Sequence, residues 1–134
     1  MSTINQNLNS NSIRDEWLAL LAQLRDTITQ WVQEDKWLVD EQQKTITEDK
    51  LGTYTTCELH VRSPQGNLIV EPVARFVAGA EGRVDISAFP TLHRFLLIRK
   101  DGRWQLRTDS GVPWPKEWSR DTFLELAKHL VDPR

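Results

Sequence analysis

Residues 53–108 leave room only for strands joined by short turns, and this restriction decides the fold class. The segment YTTCELHV alternates polar and apolar residues, and the turn residues SPQGN separate it from NLIVEPVARFV. After the loop AGAEG come two further strand-like segments, RVDISAF and HRFLLIRKDGRWQLRT. Parallel strands need a crossover of about a dozen or more residues, usually a helix. Since no helical crossover fits between these segments, the sequence predicts a mainly antiparallel sheet of about five or six strands.

Several local features of these strands are specific enough to check. Alternation puts the odd-numbered residues from Thr55 to Val61 on one face of their strand, with Cys57 as a small core residue. Pro72 cannot donate a hydrogen bond to a neighbouring strand, so its strand lies at an edge or is bulged. Asp101-Gly102 between two apolar arms predicts a two-residue hairpin turn. Upstream, the sequence predicts a first strand around residues 37–39 and a second piece near Thr45.

Helices are predicted on both sides of the strand region. From Ser12, a candidate N-cap, apolar residues recur at spacings of four and three, which predicts an amphipathic helix over residues 13–35. The polar residues 1–12 predict a disordered N-terminal tail, so we expect a single domain over residues 13–134. A second helix is expected over residues 120–131. Because both apolar faces need a partner, the sequence predicts an α+β fold with a long N-terminal and a short C-terminal helix packed on one face of the sheet.

The segment GVPWPKEWSRDTFLEL, residues 111–126, precedes the second helix. With Ser119 as N-cap, Trp118 and Phe123 occupy the two positions of a hydrophobic staple. Trp114 has no such role, because two prolines hold it in an extended segment outside the helical pattern. It is therefore the aromatic residue that we assign first to ligand or partner binding.

Composition excludes several kinds of protein. The chain has 17 Lys and Arg against 19 Asp and Glu, a net charge of -2, and a single cysteine, which excludes an internal disulfide and a cysteine-based zinc cluster. The three histidines lack metal-ligand spacing, and no glycine-rich phosphate loop or nucleophile motif occurs. We therefore predict no metal and no cofactor. There is no apolar run of membrane-spanning length and no signal-peptide pattern, so we expect a cytoplasmic protein without membrane contact.

The polar face of the predicted sheet is a candidate catalytic site. Glu58, His60, Glu71 and Asp85 fall on strands that alternation turns the same way, so their carboxylates and imidazole can come together. With arginines nearby, such a set suits a hydrolase or a metal-dependent enzyme. The alternative is a solvated face on which opposite charges pair across strands. An enzyme requires these four side chains to converge in a concave pocket.

Three functions therefore stay open. We favour a small non-catalytic interaction or regulatory module, self-associating or bound to a protein partner, because aromatics and arginine supply most interface hot spots. Its candidate interaction residues are Trp114, Trp37, Arg75 and Arg107, and a small-molecule ligand is also compatible. The second function is the enzyme on the sheet face. The third is nucleic-acid binding through the arginine-rich strands, which the net charge disfavours.

Overall fold

The computed structural model describes residues 2–89 and 91–131, in which six strands follow one helix and precede another. The strands pair in sequence order as one antiparallel meander, β1-β2-β3-β4-β5-β6. This confirms the predicted α+β fold with helices against an antiparallel sheet. The elements are α1 (Ser2–Glu34), β1 (Leu38–Glu48), β2 (Gly52–Arg62), β3 (Asn67–Ala74), β4 (Arg83–Phe89), β5 (Arg94–Lys100), β6 (Arg103–Thr108) and α2 (Arg120–Val131).

Helix α1 is longer than its apolar pattern indicates. It begins at Ser2 and so includes residues 2–12, for which the sequence predicts a disordered tail. Those residues are nearly all polar, so their helix produces no apolar periodicity by which it could be recognised. The predicted stripe of Trp17, Leu21, Leu24, Ile28 and Trp31 is buried at its first four positions. Trp31 is only partly buried, whereas Val32, predicted beside the stripe, is fully buried.

Trp17 holds α1 on the sheet by three different contacts. Its side chain is 0% exposed, and its ring centroid lies 6.1 Å from that of Trp104 on β6. Its Nε1 donates a hydrogen bond of 3.2 Å to the hydroxyl of Tyr54 on β2. Just before β4, a Cβ on Gly82 would lie 2.4 Å from the Trp17 ring, so only glycine fits there.

The buried face of the two-stranded ribbon formed by β1 and β2 changes partway along β2. Tyr54 and Thr56 are buried in one half of β2, whereas Leu59 and Val61 are buried in the other half. The register between β1 and β2 is unbroken, and β3 pairs with β2 only from Leu59 onward. Two-stranded ribbons twist more than wide sheets, which accounts for the change of buried face. The predicted common face from Thr55 to Val61 is therefore wrong as a buried face: Thr55 is exposed and Cys57 is half-buried.

Other predicted details of the strands are confirmed or corrected. The register shifts between Pro72 and Ala74 in the interior strand β3, so the bulge is the correct alternative for Pro72. Asp101 and Gly102 have φ values of 53° and 72° and join β5 to β6, as the hairpin signal predicts. The two pieces expected upstream form one continuous strand, β1.

The start of α2 has the geometry that its sequence predicts. The Ser119 hydroxyl accepts a hydrogen bond of 3.2 Å from the N–H of Thr122, and the rings of Trp118 and Phe123 lie 5.7 Å apart. Trp31 of α1 completes an aromatic cluster, with centroids 5.3 Å from Trp118 and 5.8 Å from Phe123. These rings join the two helices beside the sheet, so both helices share one apolar core.

The buried Tyr54 and the half-buried Glu48 connect the β1–β2 ribbon to the loop after β3. The Tyr54 hydroxyl donates to a carboxylate oxygen of Glu48. The same carboxylate accepts the backbone N–H groups of Arg75, at 3.0 Å, and Phe76, at 2.9 Å. Burial, followed by the hydrogen bond and charge of Glu48, raises the pKa of Tyr54 well above its usual range.

Gly82→Ala is expected to lower the free energy of unfolding by about 2 kcal/mol or more, because its methyl group meets the Trp17 ring. Gly79→Ala is the matched control: Gly79 also has a positive φ, 74°, but a Cβ there has nothing within 4 Å. Because of its backbone conformation alone, we expect Gly79→Ala to lower the free energy of unfolding by about 1–2 kcal/mol. Urea denaturation measures both variants. If Gly82→Ala lost no more unfolding free energy than Gly79→Ala, the close packing of Trp17 against Gly82 would be contradicted.

Tyr54 is the only tyrosine, so absorbance near 295 nm follows its ionisation alone. In the folded protein we expect titration clearly above the ordinary value of about 10, whereas the unfolded chain titrates near it. Because the folded state keeps the proton longer, the stabilisation is complete below about pH 10 and is lost as the pH rises further. Glu48→Gln should lower the midpoint without restoring it fully, since burial remains. A normal midpoint in the folded wild type would refute this environment.

Candidate functional site

The structure does not bring the four candidate catalytic side chains into one site. Glu58 pairs with His60 at 2.8 Å. Glu71 accepts from Lys44 of β1 at 2.5 Å. Asp85 opposes Glu71 on the next strand but binds two arginines. Each carboxylate thus has its own cationic or histidine partner.

Asp85 is the most buried of these groups, with 5% exposure. Arg83 binds it with two hydrogen bonds, Nε to Oδ1 at 2.7 Å and Nη2 to Oδ2 at 3.1 Å. Arg94 adds a third at 3.3 Å and also donates to Asp109 at 2.6 Å. The hydrogen bond to Asp109 and the charge of Asp109, followed by the charge of Asp85, raise the pKa of Arg94 above its usual value. This chain of ion pairs ties β4 to β5 and to the residue that follows β6.

These contacts have a structural rather than a chemical consequence. Within residues 2–89 and 91–131, no three His, Cys, Asp or Glu side chains are grouped closely enough to hold a metal ion. The carboxylates that a hydrolase would use as acid, base or metal ligand are paired with Lys44, His60, Arg83 and Arg94 on their own sheet. The described side chains therefore do not assemble a three-ligand metal site on this face.

The remaining candidate interaction residues lie apart from one another. Trp37 is buried in the core, with only 8% exposure, and so offers little surface to a partner. The Arg75 guanidinium lies 5.0 Å from the ring centroid of Phe76 at the ribbon end. Arg107 lies on β6, and its Nε is buried without a hydrogen-bond partner among the described residues. Of these three, Arg107 lies beside the segment that carries Trp114, because its backbone forms a β-bridge with Pro113.

Trp114 lies in a pocket of about 550 Å³ at the β6 edge of the sheet. Three tryptophans, Trp104, Trp114 and Trp118, are among the residues that line it. We call it the tryptophan pocket. It is lined by Arg103, Trp104, Gln105, Leu106 and residues 113–118.

The pocket exists because the chain pairs with β6 only briefly after leaving it. The Thr108 N–H donates to the Val112 carbonyl at 2.8 Å, and the Trp114 N–H donates to the Leu106 carbonyl at 2.9 Å. Pro115 follows directly and has no N–H with which to continue the pairing. The segment then leaves the strand toward Trp118 and α2. The space between this segment and the edge of β6 is the tryptophan pocket.

Trp114 combines packing with an unused polar group. Its ring meets Phe95 edge-on, with centroids 4.7 Å apart and planes at 86°, so one side of it belongs to the core. Its Nε1 is buried and has no hydrogen-bond partner within the described part of the chain. Buried N–H groups are nearly always satisfied, so this donor calls for an acceptor from outside the chain or from water.

Of the three tryptophans that line the pocket, the sequence assigned only Trp114 to binding, because of its flanking prolines. It gave Trp118 a structural role at the start of α2. The structure shows the Trp118–Phe123 contact and also places Trp118 in the pocket lining. Trp104 was missed. Its alternation with Leu106 indicates only a core face, and its access to the pocket depends on β6 being the last strand, which local sequence does not reveal.

Comparisons with known proteins leave the function open. No family model, curated protein or solved structure matches this chain. Neither helix, over the residues described, has a stretch long and apolar enough to cross a membrane.

The ion pairs of Asp85 give a test of the structural role of the sheet face. Asp85→Asn leaves Arg83 and Arg94 without their shared counter-charge and is expected to cost about 2–3 kcal/mol of unfolding free energy. This is less than for a fully buried pair, because Arg94 is 43% exposed. Asp109→Asn removes an exposed partner of the same Arg94 and should cost under about 1 kcal/mol. Chemical denaturation measures the free energy of unfolding of both variants. Equal losses would contradict the structural role of Asp85 in pairing with Arg83 and Arg94.

Proposed function

We propose that this chain is a non-catalytic interaction module and that the tryptophan pocket is its binding site. The observation that carries this proposal is the buried, unpartnered Nε1 of Trp114 in a pocket with three indole rings. An apolar concave surface with one or a few polar groups is the usual composition of a ligand site, and about 550 Å³ falls within the usual size range.

The chemistry of the lining favours a partner with a bulky apolar or aromatic group next to a hydrogen-bond acceptor. Indole rings offer large rigid surfaces that lose little conformational entropy on binding. The acceptor would take the Trp114 N–H, and Arg103 at the rim is suited to a carboxylate. Lys116 at the same rim is held by Glu125 at 2.8 Å. A side chain of a protein partner meets this description, and we favour it over a free small molecule.

The pairing of the sheet charges argues against the two other functions. The acids of the candidate enzyme site are bound to Lys44, His60, Arg83 and Arg94. Several strand arginines have partners within the chain: Arg99 lies 5.3 Å from the ring centroid of Trp104, and Arg83 and Arg94 bind Asp85. Arginines that are already paired with carboxylates on the same sheet, as Arg83 and Arg94 are, attract nucleic acid less strongly.

Trp114→Phe separates the proposed binding role from packing, because phenylalanine keeps an aromatic contact to Phe95 but lacks the N–H. For short peptides selected from a random display library on the wild-type protein, we expect Kd to rise about tenfold with Trp114→Phe and more with Trp114→Ala. Trp114→Ala should weaken binding more than it weakens folding. Isothermal titration calorimetry measures affinity, and urea denaturation measures stability.

Trp37→Phe is the matched control, because Trp37 is equally aromatic but lies in the core away from the pocket. It should leave peptide affinity within about twofold of wild type. If Trp114→Ala loses stability while the selected peptides bind unchanged, Trp114 is only a core residue and the proposal fails. A selection that yields no peptide, while small aromatic carboxylates protect the protein from thermal unfolding through Trp114, would assign the pocket to a small molecule instead.

A further inference from the structure

Strand β1 forms the other edge of the sheet, opposite the tryptophan pocket. It is 11 residues long, and β2 pairs with it along its whole length on one side. On the other side, no described residue forms a hydrogen bond to the backbone of residues 38–47. Proteins usually keep edge strands short, bulged or covered, because free N–H and C=O groups can pair with a strand of another chain. The charges along β1 indicate which partner strand would fit this edge.

We infer that β1 pairs antiparallel with β1 of a second copy about a twofold axis at Gln42. A twofold axis normal to an antiparallel pair passes between a residue and its own copy, so the register is fixed by the central residue. With Gln42 at the centre, Asp40 of each copy opposes Lys44 of the other. One self-complementary surface therefore contains two opposite-charge pairs and a central pair of amide side chains.

The neighbouring registers do not have this complementarity. A centre at Asp40, Glu41 or Lys44 puts a charge opposite its own copy, which destabilises a strand pair. A centre at Gln43 opposes Asp40 to the apolar Ile46 and leaves Lys44 opposite a glutamine. The Gln42 register also opposes Leu38, an apolar side chain that is 66% exposed, to Ile46. Sequence and charge therefore select one register among those that β1 can form with itself.

The two charged side chains differ in how free they are for this pairing. Asp40 is exposed, and its only ion-pair neighbour among the described residues is Arg62 at 3.9 Å. Lys44 is 24% exposed and pairs across β2 with Glu71 at 2.5 Å, so it must share or exchange this partly solvent-exposed contact to face Asp40 of the second copy. Pairing about Gln42 joins six strands of each copy into one continuous sheet. Both tryptophan pockets then lie at the outer ends, open to their partners.

Charge reversal and charge exchange test this register directly. By symmetry, Asp40→Lys or Lys44→Asp alone converts two attractive pairs into two repulsive ones. We expect the dimer Kd to rise about tenfold or more in each variant. The double variant Asp40→Lys with Lys44→Asp restores opposite charges in the same register and should return Kd to within about threefold of wild type. Sedimentation equilibrium over a concentration series measures Kd, and circular dichroism checks that each variant is folded.

Glu71→Gln is the control for Lys44, because it removes the contact within the chain without changing β1. It should leave the dimer at least as tight as wild type. The inference is overturned if the wild type stays monomeric up to about 100 μM, since the edge then serves another chain or none. It is also overturned if single reversals leave a wild-type dimer intact, or if the double variant does not recover. A loss of peptide binding at the pocket would not affect this result, so the two proposals fail separately.

Discussion

The packing of Trp17 is the contact on which the arrangement of helix and sheet depends. This one side chain touches Gly82 just before β4, bonds to Tyr54 on the twisted end of β2 and lies against Trp104 on β6. It thereby fixes α1 across strands that are far apart in the sheet. Since Trp104 lines the tryptophan pocket, the same contact that stabilises the core also supports one wall of the candidate binding site.

Charge and aromatic surface have separate uses in this molecule. The acids and arginines of the strands form ion pairs such as that of Asp85 with Arg94, which joins β4 to β5. Three buried donors lack a partner among the described residues, namely Arg25 Nε, Arg107 Nε and Trp114 Nε1, and of these three residues only Trp114 lines the tryptophan pocket. The proposed binding site therefore rests on the Trp114 donor and the pocket around it rather than on the charged side chains of the sheet.

Local rules predicted the features that depend on local chemistry. The Asp101-Gly102 turn, the Ser119 cap and the edge-to-face contact of Trp118 with Phe123 each follow from a few adjacent residues, and the structure confirms them. Features that depend on strand order or ribbon twist were not predictable in this way. The burial of Tyr54 and the access of Trp104 to the pocket arise from contacts between residues distant in sequence. The polar start of α1 carries no periodic signal by which a helix is recognised.

The central claim is that the tryptophan pocket, and not the charged sheet face, is where this protein binds. A crystallographic fragment screen tests it most directly, because fragments sample every surface without prior choice of ligand. We expect aromatic fragments bearing a carbonyl or carboxylate to cluster between Trp104 and Trp118, with an acceptor within about 3.2 Å of Trp114 Nε1. Fragments that cluster around Glu58, His60 and Asp85 while the pocket stays empty would contradict the account.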